Sequence, residues 1–228
     1  MTVELTHDQY EALRAIDSCT IANAIEPFKV RHRLEGYTGP EIKCLYPDMG
    51  VMLGYAVTAK IKTVLSDRPI AREHWFNFLE EMQRIPEPRV LVMEDESDPP
   101  CHACFHGDIT GNTHKRVGII GLVTNGAVRD LDEVRKIPFF YFAPGTVVSH
   151  GKIEITEYMV PVNVGGMLVK PGDLIHGDKH GTIHIPDEIA KQVAESARKV
   201  TETEAGHLDL IHSADFTLAK LRARMEGK

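Results

Sequence analysis

The chain has 228 residues, long enough to bury a substantial core, and its 43% hydrophobic and 26% charged content is that of an ordinary water-soluble protein. Thirty-three acidic against twenty-six basic residues leave a net charge of −7, which argues against a broad nucleic-acid or anionic-membrane surface. No apolar run approaches a membrane span, the N-terminus lacks the basic and apolar regions of a secretory signal, and Cys19, Cys44, Cys101 and Cys104 show no disulfide framework. The expectation is therefore a cytoplasmic protein with reduced thiols.

Thr6 precedes apolar residues at helical spacing in "THDQYEALRAI" and reads as an N-cap, and "SCTIANAIE" predicts a second short helix. A Gly- and Pro-rich irregular stretch leads to "GYAVTAKIKTV", whose alternation and β-branched residues predict a strand. Helical periodicity covers 68–85, and "RVLVMED" (89–95) reads as a buried strand. Pro99 and Pro100 predict the opening of a helix over 101–116. "VGIIGLVTN" (117–125) is continuously apolar, the pattern of a central strand covered on both faces. Asn125-Gly126 predicts a turn into the short helix "RDLDEVRKI", and "FFYFAPG" another strand. Short strands punctuated by Gly and Pro form a β-rich lobe across "EYMVPVNVGGMLVKPGDLIHGDKHGTIHIP", and the remainder is helical with a break near Gly206. The order predicts one α/β domain over 1–228, with a core at about 17–190, helical extensions at both ends and a C-terminal extension over 187–228.

The densest chemistry lies in "NGAVRDLDE" (125–133). A strand ending in a turn and feeding a helix leaves backbone N–H groups for an anion, and Arg129 can fork onto a carboxylate or enolate there. Asp130 offers Mg²⁺ a hard oxygen, and helical spacing of three puts Glu133 on the same face. The blander reading is that these acids favour a helix's first turn and that Arg129 is their local ion-pair partner. In "GDITG", Gly107 and Gly111 bracket Asp108, Ile109 and Thr110 in a loop that could present amides to an anion. Cys101, His102, Cys104 and His106 resemble half a zinc site, but no second half follows, so a helix with small cysteines on its core face is preferred. "HGDKHG" (176–181) reads as hairpin-turn chemistry and His184 as a strand residue, leaving roles for His106, His150, His176 and His180 open. No P-loop, GxGxxG or GxSxG is present.

Taken together, "SCTIANAI", "GDIT", "VGIIGLVTNGAVRDLDE" and "VPVNVGGMLVKPGDLIHGDKHGTIHIP" resemble the divalent-metal-dependent 4-hydroxy-4-methyl-2-oxoglutarate / 4-carboxy-4-hydroxy-2-oxoadipate aldolases, a family that also contains the RraA-like regulators of ribonuclease E activity. The resemblance implies a swivelling α/β/α sandwich assembled as a homotrimer or hexamer with sites between subunits. It implies that Asp130 holds Mg²⁺ or Mn²⁺, with Glu133 behind it. Arg129 would bind the pyruvyl oxygen, and Gly107 with the amides of Ile109 and Thr110 the substrate carboxylate. Asp108 would order a water that acts as acid or base. Cleavage of a 4-hydroxy-2-oxoacid leaves a pyruvate enolate whose charge a cation and a guanidinium stabilise, and oxaloacetate decarboxylation leaves the same enolate.

Twenty-one residues separate Gly107 from Arg129, one more than the family's pattern of about twenty. His106 stands where an apolar residue is usual, and Asn112, Thr113 and His114 replace a small, alanine-rich run beside the implied substrate path. The leading expectation is a carbon–carbon lyase acting on a small oxo-acid, with neither nucleic acid nor membrane as partner. The alternatives are a non-catalytic regulator that binds a ribonuclease and a lyase acting on a different oxo-acid or a sugar acid.

Overall fold

The computed structural model describes residues 2–64 and 72–226, so the first four residues of the helix expected over 68–85 lie outside the described residues. Helix α1 (His7–Arg14) starts in a capping box: Thr6 Oγ1 accepts from Gln9 N at 3.3 Å and Gln9 Oε1 from Thr6 N at 3.0 Å. Asp17 caps α2 (Ser18–Ile25) by accepting from Thr20 N. The chain continues through β1 (Lys43–Cys44), the long β2 (Met52–Val64), α3 (Arg72–Glu81) and β3 (Arg89–Asp95). Next come β4 (Cys104–His106), α4 (Asp108–Arg116), β5 (Ile119–Thr124), β6 (Ala127–Val128), α5 (Leu131–Arg135) and β7 (Phe140–Ala143). Strands β8 (Lys152–Tyr158), β9 (Val162–Val164), β10 (Met167–Val169), β11 (Leu174–Asp178) and β12 (Gly181–Ile185) precede α6 (Ala190–His212) and α7 (Leu218–Met225).

The main sheet runs β1-β7-β5-β3-β2-β11-β12, and its centre, β7-β5-β3-β2, is parallel. Length explains how β2 serves two antiparallel partners on one edge. Its first residues, Met52–Tyr55, pair with β11, and Ala59–Val64 pair with β8. Side chains alternate across the sheet as a strand's period of two requires. Leu53, Tyr55, Val57, Ala59 and Ile61 join Leu13, Ile21, Phe78 and Val193 from the helices in one core. Met52 and Ala56 point the other way, onto Val162, Val164, Met167 and Val169 of the β9–β10 hairpin. Strand β5 is covered on both faces as its composition predicts, with Leu122 in the first core and Val123 in the second. The α/β class, the β-rich region and the helical ends agree with the sequence.

Two expectations change. No helix begins at Pro99: Cys101 is left-handed at φ 64°, its N–H donates to Asp95 Oδ2 at 3.1 Å, and residues 104–106 form β4 against β6. Helix α4 starts only at Asp108, after an extended Gly107. The second change is at Gly206, where α6 continues unbroken to His212. The Arg224 guanidinium rests over Gly206, and the break falls at Ser213–Phe216 before the Thr217 cap.

Candidate active site

The short parallel pair β4–β6 sets the geometry by placing the chain after His106 beside the chain after Val128. Arg129 N donates to His106 O at 3.1 Å, so Gly107 and the Arg129-Asp130 pair meet where two strands end. Asp130 takes a left-handed conformation, φ 56° and ψ 46°, which aspartate tolerates better than most residues. Its Oδ2 accepts from Asp108 N at 3.0 Å and lies 3.4 Å from Arg129 Nε. Any Cβ on Gly107 would overlap that same oxygen, so glycine is required by close approach rather than by its dihedrals. The carboxylate thus sits at the N-terminus of α4, where the helix dipole favours negative charge. The arrangement also leaves the first-turn N–H groups of Ile109 and Thr110 without intrahelical acceptors.

These residues line a cleft of about 730 Å³, together with Cys104, Phe105, His150–Ile155 and the start of α3. About a third of each of the Arg129 and Asp130 side chains is exposed there. Among the described residues, only Nε of the Arg129 guanidinium has a protein partner, which leaves its two terminal nitrogens as donors. Thr110 Oγ1 is spent on Phe105 O at 3.4 Å, and the Ile109 side chain is 78% exposed at the rim.

Glu133 departs from the expectation. Asp130 is the left-handed cap outside α5, so helical i,i+3 spacing does not relate the two, and Glu133 is exposed and absent from the cleft lining. Asn112, Thr113 and His114 also lie off the cleft. Asn112 Nδ2 and Thr113 Oγ1 donate back to Asp108 O and Ile109 O, and His114 is fully buried.

His106 is equally buried, and with Tyr141 and His114 it forms a chain: His106 Nδ1 to Tyr141 OH at 2.7 Å, and His106 Nε2 to His114 Nδ1 at 3.0 Å. One run of protons satisfies both contacts, with the Tyr141 hydroxyl donating to Nδ1 and Nε2–H donating onward. Burial, and then the neighbouring His114, push the His106 pKa well below its ordinary value, and burial pushes that of His114 down to about 3. Both rings are therefore neutral, and they buttress the backbone that carries Gly107. The sequence set His106 and His114 apart from the family's usual residues, but their spacing of eight is not a recognised motif and did not signal the contact between them. His150 does line the cleft, whereas His176 is buried, donating through Nε2 to Ile16 O at 2.9 Å and accepting at Nδ1 from Ser18 Oγ at 3.0 Å. The half-site cysteines do not gather a metal set: Cys104 is buried in β4, and the Cys101 thiol donates to Asn125 O at 2.9 Å.

Fold and site define an α/β protein with an arginine–aspartate cleft at the carboxyl ends of a parallel strand pair, beside a helix N-terminus. The chain belongs to the RraA-like family, whose Aldolase/RraA signature matches residues 18–184. An uncharacterised protein of Methanocaldococcus jannaschii is 25% identical over 80% of this chain and 84% of its own length. A Halalkalibacterium halodurans protein, provisionally named 4-hydroxy-4-methyl-2-oxoglutarate aldolase, is 34% identical over 48% of this chain, and the match spans about half (52%) of that relative. Among solved structures, Streptomyces coelicolor RraAS2, described as an unusual member of the RNase ES inhibitor RraA protein family, superposes with a TM-score of 0.71 at 25% identity, covering 89% of this chain and 98% of that one. No helix among the described residues is long and apolar enough to cross a membrane.

Proposed function

We propose that the chain is a divalent-metal-dependent aldolase that cleaves a 4-hydroxy-2-oxoacid to release pyruvate, with decarboxylation of oxaloacetate as a side activity. The observation that carries this reading is the Asp130 carboxylate, held through one oxygen by Asp108 N and flanked by Arg129 in an open cleft. A single carboxylate, with the Asp108 side chain beside it and room for water, suits Mg²⁺ or Mn²⁺, which take few protein oxygens and keep their waters. Asp130 would hold the ion, which when bound supplies a Lewis acid for the 2-oxo group.

The protein's own groups supply the rest. The terminal nitrogens of Arg129 fork onto the pyruvyl oxygens, and the N–H groups of Ile109 and Thr110 take the substrate carboxylate. The guanidinium stabilises negative charge as the carbon–carbon bond breaks. Asp108, which lines the cleft, would relay a proton through water. In the homotrimer or hexamer that the family resemblance implies, a neighbouring copy would cover Ile109 (78% exposed) and Phe76 (54% exposed) at the mouth of this cleft. Light scattering on the purified chain tests the assembly.

The deciding experiment measures pyruvate release from oxaloacetate and from 4-hydroxy-4-methyl-2-oxoglutarate with Mg²⁺ and with excess chelator. Metal-dependent release that vanishes in Arg129→Ala is the expected result. Release that survives chelation would sink the metal's role. The similarity to RraAS2 favours a second reading, a regulator that binds a ribonuclease. Silence on both substrates together with inhibition of a ribonuclease E-type enzyme would favour it.

A further inference from the structure

Away from the cleft, the fold brings His180 beside Asp17 and Cys19, three side chains of metal-ligating type, across about 160 residues of sequence. Asp17 caps α2, Cys19 lies in its first turn, and His180 occupies the β11–β12 turn. One carboxylate oxygen, the thiol sulfur and one imidazole nitrogen all lie within 4.8 Å of one another. We propose that Asp17, Cys19 and His180 form a zinc site that ties the N-terminus of α2 to the β11–β12 turn.

The donor set selects the metal. Thiolate and imidazole with one carboxylate suit Zn²⁺, whereas Mg²⁺ takes oxygens alone, so this site is chemically distinct from the one at Asp130. An ion about 2.0–2.3 Å from each donor draws the three to within about 4 Å of one another. Exposed side chains close that gap by rotation, and all three residues are exposed. The fourth position stays open to water.

The cluster is also braced from behind. Buried Asp178 (5% exposed) accepts from Ser18 N at 3.0 Å and from His180 N at 2.8 Å, so one carboxylate holds both halves of the site. The same carboxylate lies 3.2 Å from His180 Nδ1. Since a carboxylate only accepts, Nδ1 carries the proton and Nε2 is left with the lone pair a metal needs. A carboxylate behind a ligating histidine is the usual way proteins fix that tautomer. The Asp17 oxygens already accept from Thr20 N at 3.0 Å and Thr20 Oγ1 at 2.7 Å, which orients the carboxylate and leaves lone pairs for a cation.

The test uses the full chain, stripped of metal and titrated with Zn²⁺. The wild type is expected to bind one equivalent that Cys19→Ser and His180→Gln each weaken about tenfold or more. Asp130→Ala is expected to retain it. Zn²⁺ should also shield Cys19, and not Cys44 or Cys101, from alkylation by iodoacetamide, read by peptide mass mapping. Both variants alter exposed side chains, and circular dichroism checks that they fold. Zinc affinity equal in wild type and both folded variants, or Cys19 alkylated equally fast with and without Zn²⁺, would overturn the proposal.

Discussion

Asp130 Oδ2 accepts the backbone N–H of Asp108 at 3.0 Å across a space that only a glycine at position 107 leaves open. The contact links two segments twenty-two residues apart and sets where the cleft's charge lies. Gly107→Ala is compatible with the backbone, φ −136°, yet its methyl must displace the carboxylate. Turnover is expected to fall by about 10²-fold, the usual consequence of misplacing a reacting group by about an ångström. The thermal midpoint should move little. A variant with wild-type kcat would show that the contact is incidental.

Asp130→Asn separates charge from shape. Asparagine tolerates the left-handed backbone and can accept from Asp108 N, so the fold is expected to survive. Metal-dependent pyruvate release should disappear, with no rescue at raised Mg²⁺. Retained turnover would remove Asp130 from the chemistry.

The buried His106–His114 pair makes stability depend on pH. Both folded pKa values lie below the ordinary 6.5, that of His114 at about 3, so below pH 6.5 the unfolded chain binds protons that the folded chain refuses. Their neutral-state stability is present above pH 6.5 and is lost as the pH falls toward the folded values. His114 should cost about 2 kcal/mol between pH 6.5 and pH 5, at about 1.4 kcal/mol per unit, and His106 shifts stability in the same direction. Urea unfolding of wild type and His114→Leu at pH 5 and pH 7 measures the difference. The variant's pH dependence should be shallower by about one histidine, and an unchanged slope would refute the assignment.

Asn125 explains why the turn before Arg129 is not built from glycine alone. Its side chain accepts from Asp95 N at 2.7 Å and donates to Asp95 O at 3.0 Å, extending the β3–β5 pairing by one side chain. Asn125→Ala strands both backbone groups and should cost about 1–3 kcal/mol of unfolding free energy. Because β6 begins two residues later and leads straight into Arg129, KM for oxo-acid substrate should rise as well. Denaturant titration and steady-state kinetics on one preparation test both.

Much of the architecture was local and therefore legible. Thr6 announced its helix because the cap and its reciprocal Gln9 contact span three residues. Apolar strands, the "HGDKHG" hairpin and the Arg129-Asp130 pair could likewise be read from neighbours along the chain. The resemblance of "NGAVRD" and "KPGDLIHGDKHG" to known sequences pointed to the family before any geometry was available. What sequence could not decide were contacts between distant segments. Prolines at 99 and 100 suggested a helix, but pairing with β6 made residues 104–106 a strand. Periodicity put Asp130 and Glu133 on one helix face, but a left-handed backbone set Asp130 apart. His106 and His114 were expected near substrate, and burial against Phe139 and Tyr141 made them a neutral brace. Asp17 and Cys19 are neighbours along the chain, but nothing local ties them to His180, which only the fold brings beside them. Local patterns record only what a residue does with neighbours a few positions away. Register, close approach and burial are set when remote strands pair, so the sequence by itself determined the elements and the chemistry available, and tertiary structure alone decided which groups meet.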